Sequence, residues 1–351
     1  MKDNNGTDRA GKSLFGCSVP VDSAVADRRA RLMKAVGTAA SVILFLLSIG
    51  VLWFIISELD GAEVKTAFAR ASRDQILLAL AFTALSYLML TGFDWVALKE
   101  VTILHISYRI TALASFTSYA VSFTLGFPLL TAATVRYWIY SSVGLGPGAI
   151  ASLTVIAGVT FWLGMVVVLG TVLMIWPASA STFTRLPLSM NIALGAALMG
   201  CIGFYLFLAS KGPRHFTLQG WRLRLPRVSA TVKQMALGAA DVCAGAAVLF
   251  VLLPPAAEVP FATMLATYVF AVFLGIVSHA PGGIGVFEAT MMLALPGLPR
   301  GELLGALLVY RLCYYVVPFI VALLLLGTRE IMLRSGAIKR QLDGTSREDA
   351  S

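Results

Sequence analysis

The chain has 351 residues, of which 58% are hydrophobic and only 13% charged, with a formal net charge of +9. A soluble globular domain carries about a quarter of its residues charged. Composition therefore excludes that class and points to an all-α polytopic membrane protein.

Residues 1–34 are polar and mixed in charge, and they end in the basic cluster Arg28, Arg29, Arg31 and Lys34. They lack the charged-then-apolar layout of a cleaved signal peptide and read as a disordered cytoplasmic tail. A single integral membrane domain is expected over 35–330, followed by a polar cytoplasmic tail over 331–351. Within the domain, apolar segments fall at about 35–57, 76–98, 108–131, 149–176, 187–209, 231–253, 262–280 and 303–327. Roughly 20 helical residues suffice to cross about 30 Å of hydrocarbon. Trp53, Trp95 and Trp176 fall near segment ends, where an interfacial aromatic belt belongs. Cys17, Cys201, Cys243 and Cys313 show no ligand spacing, so no disulfide, metal or cofactor is expected.

Charge sets the topology. The segment before residue 35, the 211–233 connection (Lys211, Arg214, Arg222, Arg224, Arg227 and Lys233) and the residues after 328 (Arg329, Arg334, Lys339 and Arg340) are basic and should be cytoplasmic. The connections near 177–186, 254–261 and 295–302 carry little charge and should be external. Eight plain crossings would put the most basic connection outside. Two segments contain helix breakers: 108–146, with Gly126 and Pro128, and 262–295, with Pro281-Gly282-Gly283. If each re-enters on its own side, all three basic regions face the cytoplasm. Six full spans and two opposed re-entrant hairpins are then expected, with span–hairpin–span repeated upside down, as in many transporters. Positions 145 and 297 would lie inside and outside, respectively; eight plain spans would reverse them.

Ionisable groups at membrane depth cost at least about 2.5–3.5 kcal/mol each, so every one needs a partner or a wet cavity. Asp94 reads as either interfacial or buried. Asp241 sits among small residues in QMALGAADVCAGAAVLF. Arg136, beside Tyr137 and Tyr140, and Arg311, beside Tyr310, Tyr314 and Tyr315, suit bidentate capture of a phosphate; the alternative for each is a salt bridge to Asp241 or Glu288. His279 precedes Pro281 by two residues and reads as a helix-end residue or a proton relay.

The stretch SYAVSFTLGFPLLTAATVRYWIYSSVGL, the element PGGIGVFE and the helix VYRLCYYVVPF resemble, in this order, the membrane domain of the lysylphosphatidylglycerol synthase family. The resemblance covers most of residues 35–330. It implies a membrane part that moves aminoacylated phosphatidylglycerol between leaflets of the bacterial inner membrane, and it implies resistance to antimicrobial peptides. In two-domain members a separate cytoplasmic domain makes the lipid; the residues after Arg340, QLDGTSREDAS, are expected to hold no such domain. The motif matches carry over Arg136 with Tyr137, Pro281-Gly282-Gly283-Ile284-Gly285 with Glu288, and Tyr310-Arg311.

The leading expectation is a lipid flippase. Gly282, Gly283 and Gly285 would let the backbone approach a phosphate held by Arg136 and Arg311, while Asp241 and Glu288 meet a cationic headgroup or a coupling proton. Asp94, Tyr140, His279 and Tyr314 are secondary candidates. The rival classes are an intramembrane lipid-linked transferase, with Asp241 or Glu288 as base, and a scaffold for a separately encoded lipid-modifying enzyme. No HExxH and no Ser/His arrangement favours the transferase, with only His105, His215 and His279 present. The expected partners are membrane phospholipid, the anionic cytoplasmic leaflet against 211–233, and a second copy of the chain; no nucleic acid is expected.

Overall fold

The computed structural model describes residues 71–125, 128–211, 215–218, 221–224, 227–254, 257–278 and 281–348. The predicted N-terminal tail, the first apolar segment with Trp53, and His279 lie outside the described residues.

The first described helix, α1 (Arg73–Val101), starts at a reciprocal cap. Ser72 Oγ accepts the Gln75 N–H at 3.2 Å, and Gln75 Oε1 accepts the Ser72 N–H at 2.9 Å. Next, α2 (Tyr108–Leu125) and α3 (Pro128–Tyr140) pack against each other as a hairpin. A 3-10 turn ends in left-handed Gly144 (φ 84), and α4 (Pro147–Ile175) follows with proline in its first turn, where a missing N–H costs nothing. After the short α5 (Pro177–Thr184) and the long α6 (Leu188–Lys211), a β-hairpin pairs β1 (His215–Leu218) with β2 (Trp221–Arg224), antiparallel, Phe216 opposite Leu223. Then come α7 (Val228–Leu252), α8 (Phe261–Val277), a 3-10 turn at Pro281–Gly283 and α9 (Val286–Ala294). The chain closes with α10 (Arg300–Arg311), a π turn at Leu312–Val316 and α11 (Val317–Glu348).

Among the described residues, α1, α4, α6, α7 and the continuous stretch Arg300–Met332 are long and apolar enough to cross a membrane. The short arms are not. At 1.5 Å per residue, the 13 residues of α3 extend about 20 Å and the 9 of α9 about 14 Å, against about 30 Å of hydrocarbon.

Hydrogen bonds place the helix ends. α1 and α7 run antiparallel: Gln75 Nε2 donates to Val251 O at 2.9 Å, while at the opposite end the Arg227 N–H donates to Glu100 Oε2 at 3.3 Å. Ala97, Ala114, Ile139, Leu145, Ile150 and Leu326 share one buried cluster at that second end. There, too, Arg329 Nη2 donates to Ser142 Oγ at 2.6 Å. Both feet of the α2–α3 hairpin therefore stand at the end carrying the basic 211–227 connection. The α8–α9 hairpin stands at the other end. Phe261 packs edge-on against Phe250, and Leu253, Leu295 and Leu303 share a cluster. The tips of the two hairpins meet inside the bundle, where a Cβ added to Gly282 would lie 3.4 Å from Phe123 O. The unit α1, α2–α3, α4 thus recurs from the opposite end as α7, α8–α9, α10–α11.

Three details differ from the sequence reading. The basic connection contains a two-stranded antiparallel pairing, HFTL against WRLR, where the sequence reading had only a loop. The 177–186 connection holds α5. Helix α11 runs on to Glu348 instead of ending near 330, since a helix already nucleated propagates at little cost through residues such as Glu330, Ile331, Met332 and Leu333.

Helices α4 and α7 touch backbone to backbone, and a Cβ on Gly164 would sit 2.9 Å from the Gly238 carbonyl carbon. Gly164→Val must force these helices apart. It is expected to lower stability by about 1–3 kcal/mol, read as a lower unfolding midpoint of the detergent-purified protein.

Candidate functional site

The tip of the α8–α9 hairpin is a backbone feature first. Gly282, Gly283 and Gly285 have φ of 59°, 65° and 82°, left-handed values that strain any residue with a Cβ. A Cβ on Gly283 would also lie 3.2 Å from Gly275 Cα, so the two arms approach to backbone contact. Glu288, in the first turn of α9, accepts the Gly285 N–H at 2.8 Å and so satisfies an orphan donor of that helix.

The other carboxylate oxygen of Glu288 accepts from Arg311 Nε at 2.6 Å, and Arg311 Nη1 donates to Gly282 O at 2.6 Å. Arg311 thereby ties the tip to the junction of α10 and the π turn. Its guanidinium lies 5.1 Å from the Tyr315 ring centroid and 5.8 Å from that of Phe287. Its third nitrogen, Nη2, has no hydrogen-bond partner among the described residues. Arg311 is 16% and Glu288 19% exposed, so the pair reaches the surface in part, while Nη2 itself is buried.

Arg136 is in the opposite condition. Its Nε and Nη2 donate to both oxygens of Asp94 at 2.8–3.1 Å, Tyr119 OH donates to Asp94 at 3.1 Å, and the two charged side chains are 1% and 0% exposed. The guanidinium lies 5.1 Å from the Tyr119 ring. This sealed pair ties α3, the short arm of the first hairpin, to α1. Tyr140, buried one turn further along α3, and half-buried Tyr137 pack in the cluster around it.

Asp241 lies between these groups, in the middle of α7, and is 3% exposed. It accepts a hydrogen bond from Ser86 on α1, and Ser86 Oγ is 2.8 Å from Tyr314 OH. The tyrosines continue outward: Tyr314 stacks on Tyr310 at 5.4 Å, Tyr310 stacks on Phe287 at 5.6 Å, and the Tyr310 and Tyr268 hydroxyls are 2.9 Å apart. The π turn has a local cause. Pro318 has no N–H to give Tyr314 O, Val317 bonds back to Leu312 O, and Tyr87 OH takes Tyr314 O at 3.4 Å.

The sequence reading joined Arg136 and Arg311 on one phosphate, with Asp241 or Glu288 as their alternative salt-bridge partners. The structure separates the two arginines. Arg136 pairs with Asp94, which is buried within the bundle; Asp241 meets no arginine among the described residues; the Glu288–Arg311 pair is as anticipated. The cause is tertiary: α3 returns alongside α1, which brings residues 42 apart in sequence together. Pro281, Gly282, Gly283, Gly285, Glu288, Tyr310 and Arg311 do converge at one tip. Tyr119, Ser86, Tyr87, Tyr268 and Phe287 were missed. Of these, Ser86 had a signal, being a small polar residue at the middle of an apolar segment, as Asp241 is. Trp95 and Trp176 stand half exposed near helix ends, with Lys99 Nζ 3.3 Å from the Trp95 ring.

Comparison with known proteins places the chain in a family. Residues 39–322 match the family described as Lysylphosphatidylglycerol synthase TM region. The uncharacterized protein slr0712 of Synechocystis is 29% identical over 91% of this chain and 98% of its own length. Inner membrane protein YbhN of Escherichia coli is 28% identical over 80% of this chain and 88% of its own. A phosphatidylglycerol lysyltransferase of Staphylococcus haemolyticus is 41% identical over 70 residues, 19% of this chain and 8% of that protein. These matches and the helical bundle make the chain a multi-pass membrane protein that belongs to the lysylphosphatidylglycerol synthase transmembrane family.

Proposed function

We propose that the protein carries a phospholipid between the leaflets of the bacterial inner membrane. The observation that supports this reading most is the meeting of two opposed, broken helical hairpins at Arg311, Gly282 and Glu288. Broken helices inside a membrane are tolerated where protein or a wet cavity satisfies the backbone, and in transporters they form substrate sites near the midplane. The buried, unpartnered Nη2 of Arg311 is suited to a headgroup phosphate once the tip opens, and the left-handed glycines admit it close to the backbone. Arg136 with Asp94 anchors the first hairpin and makes no lipid contact. A lysyltransferase among the relatives makes phosphatidylglycerol and its aminoacylated forms the first headgroups to test.

In this reading both hairpins re-enter, the end carrying the 211–227 connection faces the cytoplasm and the anionic leaflet, and both chain termini lie there. Single cysteines in a cysteine-free background test it. Leu145 is buried, so exposed Ser141 serves in its place, with exposed Gly297 as the opposite marker. Ser141→Cys is expected to react with a membrane-impermeant maleimide only after cell lysis, and Gly297→Cys in intact spheroplasts. The reverse pattern would leave eight plain spans as the topology.

Transport is tested with purified protein in vesicles of phosphatidylethanolamine and phosphatidylglycerol, following fluorescent phosphatidylglycerol accessible to dithionite. Accelerated loss of the protected inner-leaflet signal is the expected result. Wild-type protein that moves no labelled lipid would favour a membrane scaffold for a separately encoded lipid-modifying enzyme.

A further inference from the structure

Of the acids withdrawn into the helix bundle, Asp94 is neutralised by Arg136 and Glu288 by Arg311. Asp241 is not: among the described residues it has no ion pair and accepts only from Ser86. The titratable groups facing it are Tyr87 from α1, Tyr268 from α8, Tyr314 from the π turn and Cys243 on its own helix. Of the other helices packed on α7, α4 carries no titratable residue, α6 carries only Cys201, Tyr205 and its terminal Lys211, and Arg311 at the end of α10 is held by Glu288. Among the described residues, no cation stands opposite Asp241.

We propose that Asp241 is a proton-binding site, and that proton binding there is coupled to the α8–α9 tip through Ser86 and Tyr314. The inference rests on the transport reading and adds its driving ion. An unpaired carboxyl inside a membrane protein is costly to keep charged, and among the described residues no fixed charge offsets the unit change when a proton arrives or leaves. The change is also transmitted. An ionised carboxylate only accepts, so Ser86 donates to Asp241 and accepts from Tyr314. Once protonated, Asp241 can donate to Ser86, whose hydroxyl then turns its proton toward Tyr314, and the direction of the chain reverses.

Tyr314 lies in the π turn directly after Arg311, stacks on Tyr310, and has its carbonyl held by Tyr87 at the Pro318 break. Such π turns are frequent at functional sites because their backbone bonds are poised to rearrange. A proton bound from one aqueous side is released to the other, so Asp241 returns to its starting state and no species is consumed.

The test uses the same vesicles with an imposed pH difference and fluorescent phosphatidylglycerol as the probe. Wild-type movement is expected to differ by about fivefold or more between opposite gradients. Asp241→Asn, whose amide still accepts from Ser86 and cannot titrate, is expected to lose that response. Ser86→Ala, which keeps the carboxyl and cuts the chain, is expected to lose it as well. An infrared difference spectrum between acid and alkaline protein in detergent gives a lipid-free readout: a protonated-carboxyl band present in wild type and absent in Asp241→Asn. Equal wild-type rates under both gradients, a full response in Asp241→Asn, or a band that survives that substitution would overturn the proposal. Protein that moves no lipid under any gradient removes the transport reading, and a band lost in Asp241→Asn then still supports proton binding at Asp241.

Discussion

Asp94→Ala or Arg136→Ala alone is expected to lower stability by about 3–5 kcal/mol, enough to deplete folded protein from the membrane. Each substitution strands the partner's charge where it is at most 1% exposed, with neither water nor a counter-ion. Their mutual attraction offsets the desolvation of both groups only while both are present, so the loss should be strongly non-additive. The paired variant Asp94→Asn with Arg136→Gln keeps hydrogen-bonding shape without charge and is expected to be more stable than either alanine variant. Thermal unfolding followed by size-exclusion chromatography in detergent checks this, with the double alanine variant closing a double-mutant cycle. Additive losses would show that the pair acts as two independent polar residues. The same result bears on function, because this pair holds the short arm of the first hairpin against α1.

Arg311→Ala is expected to slow lipid movement at least about tenfold while leaving the protein folded. Arg311 makes charge-assisted bonds to Glu288 and to Gly282 O, each kind of bond being worth about 1.5–3 kcal/mol. In the proposed mechanism its remaining edge also takes the phosphate, so one truncation removes both tip closure and headgroup capture. Because the pair is partly exposed, water can replace the lost partner in the free protein, unlike at Asp94. Arg311→Lys keeps the charge but lacks the planar fork that spans Glu288 and Gly282 O together, so an intermediate rate is expected. Glu288→Gln keeps an acceptor for the Gly285 N–H and loses the charge holding Arg311; its rate is expected to fall less than that of Arg311→Ala. Wild-type rates in Arg311→Ala, with an unchanged unfolding midpoint, would remove Arg311 from the transport site.

Much of the architecture was legible because a bilayer constrains sequence strongly. Apolar length predicts spans, and α1, α4, α6, α7 and α8 start and stop within a few residues of the segments read from hydrophobicity. Glycine and proline at 126–128 and 281–285 marked the two interruptions, and basic residues marked one end of the bundle. The PGGIG tip with Glu288 was legible for the same reason: left-handed backbone has few residues that tolerate it. Features without a composition signature were not legible. The π turn depends on one proline and on the neighbour that takes the released carbonyl. Ser86 becomes significant only because antiparallel α1 sets it against Asp241.

The division has a physical cause. By itself the sequence determined that this chain lives in a membrane, where its helices break, which end is basic and which residue types lie too deep to stay unpartnered, since all of these follow from local hydrophobicity and backbone preference. Only the tertiary structure decided which charge meets which. An arginine in a low-dielectric interior will bond to whichever carboxylate the packing presents; among the described residues the packing presented Asp94 to Arg136, Glu288 to Arg311, and to Asp241 the Ser86 hydroxyl.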